Sequence, residues 1–156
     1  MIDNRCMEVK VLHYRNFLNP TKEIFRSALK DVIIIIEENY DEIVFLDLKA
    51  KERNNYIEKL IHQTKENPSP KYLWFDEKYF QMPSYFRRNV IAEALGKVSA
   101  YHKQLTTWEE NGNVGKPPKL ILNHSSFPTF YKGNTFISRL DENKCDIKVF
   151  NKNKGT

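Results

Sequence analysis

The sequence is poor in the residues that most catalytic signatures need. It has five glycines among 156 residues, too few for a Gly-rich phosphate loop as a main feature, and neither a Walker nor a dinucleotide fingerprint occurs. Its two cysteines, Cys6 and Cys145, stand alone; with no Cys-x-x-Cys pair, a zinc ribbon is excluded on spacing. The four histidines, His13, His62, His102 and His124, form neither a His-x-His nor an i,i+4 pair. Ser125 and Ser126 follow His124 without the glycines of a nucleophile elbow. The longest apolar run, Val32–Ile36, has five residues, whereas a bilayer span needs about 20. No apolar stretch follows a basic one at the N-terminus, so no secretory signal is expected. Two isolated thiols then read as reduced and cytoplasmic. Asp141, Glu142 and Asp146 read as flanks of a strand turn rather than as Mg²⁺ ligands, because metal nucleases draw their carboxylates from separated, rigid elements. The expectation is a protein without an active site and without a cofactor.

What the chain does have is aromatic and cationic. Hydrophobic residues make up 40% and charged residues 29%, with ten Phe and eight Tyr. That is the composition of a soluble globular domain long enough to bury a core. The net charge of +5 is unevenly spread. Residues 1–82 carry 13 Lys/Arg against 14 Asp/Glu, and residues 83–156 carry 12 against 6. A surplus confined to one half points to a polyanion touching one region.

Hydrophobic periodicity orders the elements. Met7–His13 alternates, predicting a strand over roughly 7–14. Asn19-Pro20 then reads as a helix start, and Ile24, Phe25, Ala28, Leu29, Val32, Ile33 and Ile36 predict a core-facing helix over 20–38. A second helical stretch runs from Asp41 to about His62 on the stripe of Tyr56, Ile57, Leu60 and Ile61. The aromatic patch Tyr72–Phe80 reads as a packing connector more than as a stacking surface. Residues 83–111 give the longest helix, with Ile91, Ala94, Leu95, Val98, Tyr101, Leu105 and Trp108 in a stripe about 140° wide. Phe127–Tyr131, a Lys132-Gly133-Asn134 turn and Thr135–Leu140 read as a hairpin, followed by a strand at Cys145–Phe150. The order strand, helices, strands predicts an α+β fold: a helical bundle inserted after the first strand of a small, incomplete antiparallel β-barrel. The boundaries are 1–16 for the first strand, 17–112 for the bundle, and 113–156 for a basic loop and returning strands.

The start of the long helix carries the most pointed signal. Arg87 and Arg88 occupy its first turn, where the helix dipole favours acids. Arg87 also falls at the angular centre of the apolar stripe. Two guanidinium forks beside free backbone N–H groups can make a phosphate site. Equally, Arg87 can pair with a carboxylate on a neighbouring helix while Arg88 lies in solvent. Lys97, Lys103, Lys116, Lys119 and Lys132 continue the positive trend, with Tyr85 and Tyr131 interleaved as rings on which bases could stack. Tyr101 and Trp108 lie on the core stripe and read as packing.

Residues Pro83–Tyr101, then Trp108-Glu109-Glu110-Asn111-Gly112 and Lys116-Pro117-Pro118-Lys119, resemble the N-terminal part of TnpB-like proteins, the OrfB family of insertion-sequence transposases. The resemblance implies an RNA-guided nuclease whose N-terminal region is a wedge-type β-barrel carrying a helical recognition bundle. That region holds structured guide RNA and reads duplex DNA beside the target. It implies nucleic-acid contacts for Arg87, Arg88, Lys97 and Lys103, which Tyr85, Lys116, Lys119 and Lys132 join on the pattern of rings and cations. It also implies that a RuvC-like nuclease domain and a zinc ribbon would follow. The chain stops at Thr156, so the expectation is a truncated, non-catalytic nucleic-acid-binding fragment, with neither a cofactor nor a membrane as partner. The other expectation is a fragment that pairs through its open barrel edge with the separately encoded remainder or with itself.

Overall fold

The computed structural model describes residues 15–80, 82–139 and 144–150. The strand expected at 7–14 lies outside them. The described chain runs α1 (Arg15–Glu38), α2 (Tyr40–Phe45), α3 (Ala50–Ile61), α4 (Trp74–Lys78), α5 (Ser84–Glu110), β1 (Phe136–Arg139) and β2 (Lys144–Ile147).

The core forms where the apolar stripes of α1 and α5 meet. Phe25, Ala28, Leu29, Val32, Ile33, Ile35 and Ile36 of α1 are buried against Phe86, Val90, Ile91, Ala94 and Val98 of α5. The β-branched run of α1 stays helical because four of its five residues have core to pack against, and that packing outweighs a modest propensity cost. α1 starts a turn earlier than its proline suggests, so Pro20 lies inside it and one backbone hydrogen bond is given up. Ile57 and Ile61 of α3, Phe75 of α4 and Tyr79 just past its end complete the core.

The helical stretch expected from Asp41 to His62 is two helices. Asp47, at φ 44°, turns the chain into the left-handed region after α2, a conformation that Asp tolerates better than most residues. Restarting at α3, the Lys49 N–H donates to Glu52 Oε2 at 2.9 Å. The long helix α5 is as the periodicity predicts, about 40 Å of chain, and Gly112 at φ 74° ends it.

The expected barrel is not formed. The molecule is mostly helical, and β1 and β2 make one two-stranded antiparallel sheet among the described residues, with Phe136 opposite Ile147 and Arg139 opposite Lys144. Among the described residues Phe127–Tyr131 forms no ladder with Thr135–Arg139. The Lys132–Asn134 turn is present, but the Tyr131 carbonyl accepts from the N–H groups of Asn134, Thr135 and Phe136 at 3.1, 2.9 and 3.2 Å. That knot of bonds turns the chain without starting a ladder. Residues 120–130 alternate half-buried and exposed as a strand would, yet the surface they lie on is helical. Arg26 of α1 donates to the Ser126 and Ser125 carbonyls at 3.2 and 2.9 Å. The Ser126 hydroxyl bonds Glu93 of α5. Asn89 reaches the Thr129 carbonyl, and Phe130 packs edge-on against Phe86. A period of two therefore marks an extended strap here rather than a sheet strand. Without a barrel there is no barrel edge, and the strand edges among the described residues are those of β1 and β2.

Candidate functional site

Arg87 is the first expected site residue to leave the surface. It is 7% exposed, and its Nη2 and Nε donate to Glu58 Oε1 of α3 at 3.0 and 3.2 Å. The pairing alternative for Arg87 is the arrangement found. Arg88 stays outside, its side chain 62% exposed, with Nε 3.4 Å from the other oxygen of Glu58. One carboxylate thus faces two guanidiniums, and the trio carries a net +1. The Nη groups of Arg88 have no partner among the described residues.

Arg88 opens onto a groove of about 440 Å³ between α3, α5 and the turn before β1. α5 contributes Tyr85, Arg88, Asn89 and Ala92, and α3 contributes Lys51, Asn54, Asn55 and Glu58. Both sets follow the i, i+3, i+4, i+7 spacing of one helix face. Tyr131 and Asn134 form the third wall, the Tyr131 ring centroid 6.5 Å from that of Tyr85. Toward the middle of α5 a second, smaller pocket of about 210 Å³ lies over the small residues Ala92, Gly96 and Ser99, and it shares Asn54 and Ala92 with the first. A Cβ built on Gly96 meets nothing within 4 Å.

The other expected residues separate into those on this face and those off it. Lys103 shares the angular sector of Tyr85, about five turns further along α5, and is exposed. Lys132 is exposed in the turn beside Tyr131. Lys116 and Lys119 are exposed in the loop that follows α5. Lys103, Lys116, Lys119 and Lys132 have no carboxylate partner among the described residues. Lys97 points away, about 180° round the helix from Arg88, and pairs with Glu93 at 3.2 Å.

Sequence reasoning missed Lys51, Asn54, Asn55, Asn89 and Asn134. The signal was available on α5, where Tyr85, Arg88, Asn89, Ala92, Gly96 and Ser99 make a second, polar and small stripe beside the apolar one. On α3 the same spacing links Lys51, Asn54, Asn55 and Glu58.

Two of the three described histidines hold elements together. His62 pairs with Asp76 at 2.8 Å, joining α3 to α4. His102 pairs with Glu37 at 2.8 Å and stacks flat on Tyr40, centroids 3.5 Å apart, joining α5 to α1 and α2. His124 bonds the Ile121 carbonyl at 2.7 Å. No group of three His, Cys, Asp or Glu side chains that could hold a metal occurs among the described residues. Among them, too, no helix is long and apolar enough to cross a membrane.

The described chain is thus a small helical protein with a two-stranded sheet and a polar, cation-edged groove along its longest helix. It belongs to the Aq_aa04 family, whose model matches residues 5–151. No curated protein and no solved structure matches it significantly.

Proposed function

We propose that the protein is a non-catalytic nucleic-acid-binding module, working in the cytoplasm in the manner of the N-terminal region of a TnpB-like transposase. Its partners are structured RNA and the duplex DNA beside a target. The observation that carries the reading is the set of exposed cations without carboxylate partners among the described residues: Lys103 on the groove face, Lys132 at its rim, and Lys116 and Lys119 in the loop after α5. Arg88 adds a guanidinium only half engaged by Glu58. Exposed cations of this kind serve a polyanion by displacing its condensed counterions.

Electrophoretic shifts with a structured RNA and a DNA duplex at several salt concentrations test this. The logarithm of affinity should fall linearly with the logarithm of salt. Charge reversal at Lys103, Lys116 and Lys119 should lower that slope by about 0.9 for each phosphate no longer neutralised. Binding that ignores salt, or no shift with either probe, would remove the proposal.

A second reading keeps one observation in its favour. Among the described residues β1 and β2 form a sheet of only two strands, and an open strand edge can pair with another chain. Concentration-dependent sedimentation without any nucleic-acid shift would favour it.

A further inference from the structure

The groove between α3 and α5 has a chemistry that unpaired surface lysines lack. Its walls combine two aromatic rings, Tyr85 and Tyr131, 37% and 48% exposed. Four side-chain amides, Asn54, Asn55, Asn89 and Asn134, lie around them, with Arg88 and Lys51 at the edge. We propose that this groove holds one unstacked nucleotide of a single-stranded segment, such as an RNA loop, rather than base-paired helix. The proposal rests on the nucleic-acid reading above and names the part of the nucleic acid that this site takes.

Three features lead there. The volume, about 440 Å³, lies in the range of small-ligand pockets, and a recess between two helices cannot admit a duplex. Both rings are partly exposed and meet at 43°, so a base would stack on one of them rather than slide between parallel plates. Asn54 and Asn89 donate to the Ala50 and Thr129 carbonyls, but the exposed amides of Asn55 and Asn134 each offer a donor and an acceptor, which suit the Watson–Crick edge that only an unpaired base presents. Arg88 supplies the phosphate contact. Its tie to Glu58 is a single 3.4 Å approach on the exposed side. Turning toward a phosphate therefore does not strand the carboxylate, which keeps both of its bonds from Arg87.

The probe is an RNA hairpin with 2-aminopurine in its loop, compared with a fully paired RNA duplex of the same stem sequence. The wild-type protein should quench the loop fluorophore on binding. Replacing Tyr85 and Tyr131 together by Ala removes two exposed rings, and circular dichroism checks that the helices persist. Hairpin affinity should then fall about 5- to 150-fold, the range for loss of one stacked base, while duplex affinity stays put. Tyr85→Phe with Tyr131→Phe should keep the wild-type affinity for both. Equal affinity for hairpin and duplex, each indifferent to the Ala pair, would overturn the single-strand assignment and leave nucleic-acid binding standing. An equal fall for both probes would also overturn it. No binding to either probe would sink the nucleic-acid reading as well.

Discussion

Arg87 illustrates how a position can be legible while its meaning is not. Its place at the centre of an apolar stripe follows from residue spacing alone, and so does the oddity of a cation in the first turn of a helix. Its partner does not, because Glu58 lies 29 residues away on another element. The consequence for mutagenesis is direct. Glu58→Ala leaves a buried guanidinium uncompensated and should cost about 3–5 kcal/mol in urea unfolding, whereas Arg88→Ala, at an exposed pair, should cost less than about 1 kcal/mol. Equal costs for the two variants would contradict the assigned roles. Reversing both arginines to Glu, attractive from sequence as a clean test of binding, instead sets a carboxylate at position 87 against Glu58 inside the core, and unfolding is the expected result. Binding is therefore probed through Arg88 alone. Gly96 makes the opposite case. Its helical backbone and open surroundings predict that Gly96→Ala raises stability by about 0.4–1 kcal/mol, and a lower thermal midpoint would mean that the groove floor tolerates no methyl group.

At the scale of elements, periods are legible in the sequence and partners are not. The α5 pattern gives its bounds to within a residue because the helix sits on one continuous core, and α1 is fixed by the same stripe. The strap at 120–130 shows the limit: alternation reports that every second residue is half-buried, not whether the covering surface is a strand or a helix. The expected barrel rests on reading Phe127–Tyr131, at the end of that strap, as the first strand of a hairpin that joins strands at 7–14 and 145–150. The break between α2 and α3 is equally hidden, since it depends on one left-handed Asp47 rather than on Gly or Pro. The groove escapes a linear reading because its polar stripes on α3 and α5 mean little until the helices are side by side. The strap's continuation past β2 is fastened by one side chain. Thr21, 2% exposed, donates to the Phe150 carbonyl and accepts from its N–H, both at 2.8 Å. Thr21→Val keeps the shape and removes both bonds. The Phe150 amide should then exchange with solvent faster while amides in α1 and α5 keep their protection. Unchanged exchange at Phe150 would mean that packing of its ring, not the hydroxyl, holds the segment.

For the whole molecule, the packing that seals the core also sets a limit in alkali. Tyr79 is 4% exposed. Burial, then its hydrogen bond to Asp31, pushes its phenol far above the usual value, with the Ser27 bond opposing weakly. Tyr56 is pushed up to about 12, first by burial and then by a hydrogen bond to Glu42. Both phenols ionise near pH 10 once the chain unfolds. Because the folded state holds these protons more tightly, their contribution is complete below pH 10. It is lost as pH rises from 10 toward and past 12. Each such proton can add a slope of up to about 1.4 kcal/mol per pH unit; the more open site of Tyr56 makes its share the smaller. Urea midpoints measured from pH 8 to pH 11.5 should therefore stay level to about pH 10 and then drop. Tyr79→Phe gives up the hydroxyl's bonds to Asp31 and Ser27, about 1 kcal/mol at pH 8. Asp31 keeps Lys78 at 2.6 Å, so the variant should fold and show a shallower alkaline fall. A Phe variant that falls as steeply as the wild type would locate the alkaline transition at Tyr56 rather than in the joint between α4 and α1.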